Sequence, residues 1–139
     1  MTILLFLATL IMAAIQSFRD LRVYRQALKE AKRIFQRSLS FPKEERYSLT
    51  DQIRRSSRAV SAMVAEAWAR RRYQAAFVNK INVALGEAME TQVWLDHARM
   101  CDYLNEAEYK ALDTAWQQIG GMLQRMIQRA DTFCSSPTN

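Results

Sequence analysis

From Phe18 onward the chain sets apolar residues at three- and four-residue steps. Three interruptions divide it into four stretches, each predicting an amphipathic helix. Helix one is expected from Phe18 to about Ser40, with Leu21, Tyr24, Leu28, Ala31 and Phe35 on one face. Phe41 to Tyr47 breaks the period, because Pro42 disfavours helix at the residue before it. Ser48 and Asp51 then have capping-box spacing and mark the start of helix two. Its inward positions are Leu49, Ile53, Ser56 or Ser57, Val60, Met63 or Val64, and Ala67 or Trp68, small enough for close helix approach.

Arg70 to Gln74 is too charged to bury, and a helix of more than fifty residues would be out of scale for this chain, so a turn is expected there. Helix three follows on Phe77, Ile81, Ala84, Ala88, Leu95 and Ala98. Asp102 to Asn105 ends it, and Asn105 with Glu108 repeats the capping spacing. Helix four carries Leu112, Trp116, Ile119, Leu123, Met126, Ala130 and Phe133, with Gly120–Gly121 implying a bend or a tight neighbour. Four helices with short connections predict an all-α, antiparallel up-down-up-down four-helix bundle over residues 17–134, followed by a tail at 135–139.

Residues 1–16 form an apolar extension. Ile3 to Ile15 is uncharged but spans only about 20 Å as a helix, short of a hydrocarbon core of about 30 Å. No basic residue precedes it, so a secretory signal is not expected. Three readings stay open: a segment translated from upstream of a true start near Met12, a helical turn packing on a partner, or a short membrane anchor.

Composition narrows the class. With 139 residues, 50% apolar, and only three glycines and two prolines, the chain has too few turn formers for a β-sandwich and suits one domain. Cys101 and Cys134 would lie about 40 Å apart at opposite ends of a helix pair, too far to bridge, which points to a reducing, cytoplasmic setting.

Charge adds an asymmetry. The net +6 divides into +9 over residues 17–73 and −3 over residues 74–139. The basic half suits phosphates, and the contrast between halves equally suits head-to-tail contact between copies. In helix one, Arg22, Arg25, Lys29, Lys32 and Arg33 make a basic stripe, read as a solvated flank.

Several blocks of residues resemble a known family. They are Phe18–Leu21 with Val23, Tyr24 and Ala27, Phe41–Pro42 with Glu45, Tyr47 to Ser57, Ala65–Glu66 with Arg70, Ala84 with Gly86, Glu90 to Gln92, and Tyr103–Leu104. The sequence resembles the four-helix bundle proteins encoded within intervening sequences of large-subunit ribosomal RNA genes, of which a related branch is the accessory protein of diversity-generating retroelements. Met63 and Ala67 stand where the family usually has Asn and Gly, and Glu87 stands where Ser usually follows the glycine. The resemblance implies a pentameric ring with a basic surface. For the retroelement branch it also implies binding to RNA or DNA and to a reverse transcriptase.

The residues that could hold phosphate are Arg54, Arg55 and Arg58 near one end of helix two and Arg70, Arg71 and Arg72 at the other. The competing expectation is salt bridging to Glu87 or Glu90, within or between subunits. Tyr47, Trp68 and Tyr73 could stack on bases, but aromatic residues at helical spacing more often fill a core. Glu66 and Glu90 would need Glu-x-x-His partners to hold two metals, and the residue three before the sole histidine, His97, is Trp94, so no metal is expected. Glu66 is expected to pair with Arg70 or with an arginine of another helix. No nucleophile elbow, Ser-His-Asp arrangement or glycine-rich phosphate loop is present, so neither catalysis nor a cofactor is expected. The expectation is a non-enzymatic homo-oligomer offering a basic surface to nucleic acid. The alternative is a structural or protein-binding module whose charges serve only subunit contacts.

Overall fold

A computed structural model describes residues 2–7 and 15–134. Among these the architecture is all-α, without strands: α1 Arg22–Ser38, α2 Leu49–Ala69, α3 Gln74–Met100, α4 Glu106–Gln128 and the short α5 Ala130–Phe133, with 3₁₀ turns at Phe18–Asp20 and Lys43–Glu45. Residues 3–7 add a separate, exposed helical turn. The rest of the apolar start, at 8–14, and the tail lie outside the described residues. Among the described residues no helix is long and apolar enough to cross a membrane.

Each helix packs on the next, and α4 packs back on α1. The polar contacts show which ends meet. Arg37 near the end of α1 pairs with Glu108 at the start of α4, and Arg55 near the start of α2 pairs with Glu90 in the later half of α3. Lys80 near the start of α3 reaches Glu66 near the end of α2, while Arg99 at the end of α3 reaches Glu106. The core between the helices is led by Trp116, Phe77, Ile34, Ile53, Ile81 and Leu95. Where α2 meets α3 the buried hydroxyls of Ser56 and Thr91 lie 2.9 Å apart, satisfying each other in a narrow contact that longer side chains would wedge open. α5 anchors the end of the chain by stacking Phe133 on Phe77, with ring centroids 5.9 Å apart.

Helix ends follow the capping chemistry in part. The Asn105 side chain accepts from the Glu108 amide at 2.8 Å while the Glu108 carboxylate accepts from the Asn105 amide, as expected. The turn before α4 passes through Asp102 at φ 60°, a left-handed position that aspartate tolerates better than most residues. α2 ends at Ala69 and α3 begins at Gln74, placing the turn where the arginine run was expected.

Three expectations are corrected. First, helix one begins at Arg22, because a Ser17–Asp20 capping box closes a 3₁₀ turn and leaves Leu21 extended. Its inward face is Val23, Ala27, Ala31 and Ile34, while Leu28 and Phe35 are 52% and 37% exposed. Second, Ser48 forms no capping box with Asp51; its hydroxyl donates instead to the Glu45 carboxylate at 3.1 Å. Third, neither Gly120 nor Gly121 is forced by a close neighbour, since a Cβ at either would make an ordinary 3.6 Å contact, and α4 runs unbroken through both.

Cys101 is exposed and Cys134 half-buried, and both thiols are free. Burial pushes the Cys134 thiol above its ordinary pKa.

Candidate nucleic-acid interface

The corrected register of α1 brings two basic elements together. With Val23, Ala27 and Ile34 turned inward, Arg25, Lys29 and Lys32 fall on the outer side beside Leu28 and Phe35. α2 supplies Arg54 and Arg58 from across the seam. The Arg54 guanidinium lies 4.8 Å and that of Arg58 5.6 Å from the centre of the Phe35 ring, and Arg54 Nε donates to the Ser38 hydroxyl at 2.8 Å. The result is a shallow depression floored by Leu28, Ala31 and Phe35 and rimmed by cations. A guanidinium resting on a ring keeps N–H edges free for phosphate oxygens.

Phe35 and Leu28 therefore serve the surface, where the apolar pattern had assigned them to the core. Among the described residues none of Arg25, Lys29, Lys32, Arg54 and Arg58 is paired with a carboxylate. On the same helix, Arg33 is neutralised by Glu30 at 2.8 Å and Arg37 by Glu108 at 3.1 Å. Unneutralised charge is what a polyanion can use, because displacing an internal carboxylate costs part of the gain.

The six arginines singled out from the sequence separate into three environments. Arg54 and Arg58 join the depression. Arg55 does not: a helix turns about 100° per residue, and this side chain reaches α3. There Arg55 donates to Glu90 at 2.7 Å and lies 3.6 Å from Glu87, meeting the expectation of internal salt bridging at this one arginine. Burial first, and then the neighbouring Glu90 charge, hold the Glu87 carboxyl above its ordinary value of 4.5 against the opposing pull of Arg55. Glu90 also accepts from the Trp94 indole at 3.2 Å.

Arg70, Arg71 and Arg72 lie at the other end of α2, sixteen residues or about 24 Å beyond Arg54. Arg71 is committed to Trp68, 3.7 Å from the ring centre and donating to its carbonyl at 3.1 Å. Arg70 and Arg72 have no carboxylate partner among the described residues. Trp68 packs partly against the core, whereas Tyr47 and Tyr73 are 85% and 66% exposed, contrary to the core reading of the aromatic residues. Arg70 and Arg72 are thus a detached second cationic site at one pole. Of the α1 stripe, Arg25, Lys29 and Lys32 are exposed as expected of a solvated flank and line the depression beside Phe35, while Arg33 pairs with Glu30 and Arg22 faces the groove toward α4.

Glu66 pairs with Lys80 at 3.1 Å and not with an arginine, so its charge is used in the seam between α2 and α3. Among the described residues no cluster of three His, Cys, Asp or Glu side chains is arranged to hold a metal ion. A second concave feature, an open groove of about 1230 Å³ between α1 and α4, is lined by Arg22, Arg125 and Arg129 around Met122.

Comparison with known proteins follows the same outline. No curated protein matches the chain. One solved structure that does match is a crystal structure of a protein of unknown function from the S23 ribosomal protein family of Bacteroides thetaiotaomicron. It is 29% identical, with a TM-score of 0.70 over 76% of this chain and 95% of that one. The model of the 23S rRNA-intervening sequence protein family matches residues 19–125, the span running from the first 3₁₀ turn to near the end of α4. The chain belongs to the 23S rRNA-intervening sequence protein family.

Proposed function

We propose that this chain is a non-catalytic, self-assembling four-helix bundle that binds RNA or DNA through the α1/α2 face. The end-to-start pairings between successive helices, and between α1 and α4, support an up-down-up-down arrangement within one subunit. The observation that carries the nucleic-acid reading is the group of five unneutralised cations around Phe35. It combines sequence-independent attraction for phosphates with two guanidiniums held on a ring, their N–H edges open to phosphate oxygens. A homopentameric ring would repeat that face about an axis, adding weak contacts into strong avidity. The retroelement branch gives the more specific role: nucleic acid held beside a reverse transcriptase in the cytoplasm.

Fluorescence anisotropy with RNA and DNA oligonucleotides across a salt series tests this reading. Five phosphate contacts predict a slope of log affinity against log salt of about −4.5 for duplex DNA and about −3.5 for single strands. Absence of binding at low salt, or affinity indifferent to salt, would leave the chain a structural module whose charges serve other ends.

A further inference from the structure

We propose that the end of the molecule where α1 begins and α4 stops rests on the surface of an anionic lipid bilayer, with the helical turn at residues 3–7 inserted at the boundary between headgroups and acyl chains. This end is separate from the depression at Phe35 and needs neither nucleic-acid binding nor self-assembly.

Two features meet there. The first is charge. Arg22 opens α1, Arg125 and Arg129 stand where α4 stops, and all three line the groove between the two helices. Phe133, stacked on Phe77, brings the end of the chain against the start of α3. Arg71, in the turn between α2 and α3, bears electrostatically on Cys134, so its neighbours Arg70 and Arg72 belong to the same end. Arg19 lies just ahead of α1. Arg19, Arg22, Arg70, Arg72, Arg125 and Arg129 are all exposed, and among the described residues none is paired with a carboxylate. Of the carboxylates nearby, Asp20 is held in its capping box and Glu66 by Lys80, which leaves Asp131.

The second feature is apolar. Ile3, Leu4, Leu5, Phe6 and Leu7 are between 52% and 81% exposed, and Leu4 lines the same groove as the arginines. Five successive apolar residues cover every side of a helical turn. A groove on another protein buries one side of such a turn, whereas an acyl phase buries all of them. The turn rises about 7.5 Å, the depth to which interfacial helices sink. No charged side chain precedes Phe18 to oppose its entry. Among the described residues no helix is long enough to span a membrane, so the contact is with one surface.

Together the two features select the occupant. A nucleic acid would engage the arginines and leave the apolar turn in water, and a neutral apolar partner would cover the turn and leave the arginines unused. An anionic bilayer uses both, and a short apolar insertion holds to a membrane only when a basic patch adds to it.

Co-sedimentation with vesicles tests this on the full chain, comparing phosphatidylcholine alone with phosphatidylcholine mixed with phosphatidylglycerol. Two variants accompany the parent: Leu4→Glu with Phe6→Glu, and Arg22→Gln with Arg125→Gln and Arg129→Gln. All five side chains are exposed, so circular dichroism should show the helices intact in each. The parent is expected to sediment with the mixed vesicles, to ignore the neutral ones, and to be released as salt rises. At about fivefold per arginine, the glutamine variant should bind about a hundredfold more weakly. The glutamate variant should lose at least about tenfold, because two charges must enter the apolar boundary. Inorganic phosphate matched to the headgroup concentration should leave the parent bound; release would make the arginines a site for free phosphate and overturn the proposal. A parent that stays in solution with the mixed vesicles, binds neutral vesicles as well, or is matched by either folded variant would overturn it too.

Discussion

α1 and α3 meet the same internal demand and differ outside. Each turns small and branched apolar residues inward, Ala27 and Ile34 in one and Ile81, Ala84 and Ala88 in the other. On α1 the exposed residues include Arg22, Arg25, Lys29, Lys32 and Arg37, whereas on α3 the charged residues are turned into seams and the outer strip is neutral as far as Val93. Packing constrains only the inner stripe, so the outer face of a helix is free to carry recognition chemistry. In this molecule one outer face gathers unpaired cations and the other is free of charge.

The sharpest way to break the contrast is to remove charge from α1 and its α2 neighbour. Replacing Arg25, Lys32 and Arg58 together by Gln should weaken oligonucleotide binding by about two orders of magnitude at low salt and flatten the salt slope by about 2 to 3. Stability should move by less than about 0.5 kcal/mol per site, because none of the three is paired with a carboxylate. Binding curves and thermal melts on the same samples separate the two effects.

The α2/α3 seam should respond in the opposite way. Arg55→Met leaves Glu87 beside Glu90 without a counter-charge and should cost about 1 kcal/mol near neutral pH, a modest figure because Arg55 is half exposed and solvent screens the pair. The pH dependence follows from the direction of the Glu87 shift. A carboxyl raised in the fold binds its proton more tightly there than in the unfolded chain. Its contribution is therefore present below the ordinary value of 4.5 and is lost as pH rises through the raised folded value. The Arg55→Met deficit should accordingly grow with pH over that window, and adding Glu87→Gln should remove the dependence. Urea melts from pH 4 to 7 would measure both, and a deficit constant with pH would mean the loss is one of packing.

On α3 itself, Gly86→Ala should raise the stability of the fold by about 1 kcal/mol, or about 3 to 5 °C in melting temperature, since the added methyl meets open space and gains helix propensity. The smallest effect is expected at the α3/α4 seam. There the Tyr109 hydroxyl donates to Asp96 at 2.6 Å and its pKa is pushed up to about 12, first by that bond and then by burial. In Asp96→Asn the titration of Tyr109, followed by ultraviolet absorbance, should move back toward 10; no movement would mean that Asp96 does not hold the phenol.

The helices of this chain were largely legible from the spacing of apolar residues, because α3 and α4 each carry a single inward stripe, Phe77 to Ala98 and Leu112 to Met126. α1 was not, for a physical reason. Two apolar stripes run side by side along it, and propensity cannot decide whether Phe35 or Ile34 turns inward when the choice depends on what α2 and α4 present. The candidate site suffered the same ambiguity. Adjacent arginines look equivalent in sequence, yet Arg54 lies on a phenyl ring and Arg55 is locked to carboxylates, since one residue of helix rotates the side chain by about 100°. The Ser48–Asp51 pair had capping spacing, but the hydroxyl found Glu45 in the preceding turn, a competitor that the spacing rule ignores.

The two thiols also make this chain a convenient subject for spectroscopy. A maleimide dye at neutral pH should attach first to the open Cys101, where the link from α3 to α4 begins, and leave the half-buried Cys134 largely untouched. A single probe then sits at one pole of the bundle of helices, where α3 ends, without engineering a cysteine.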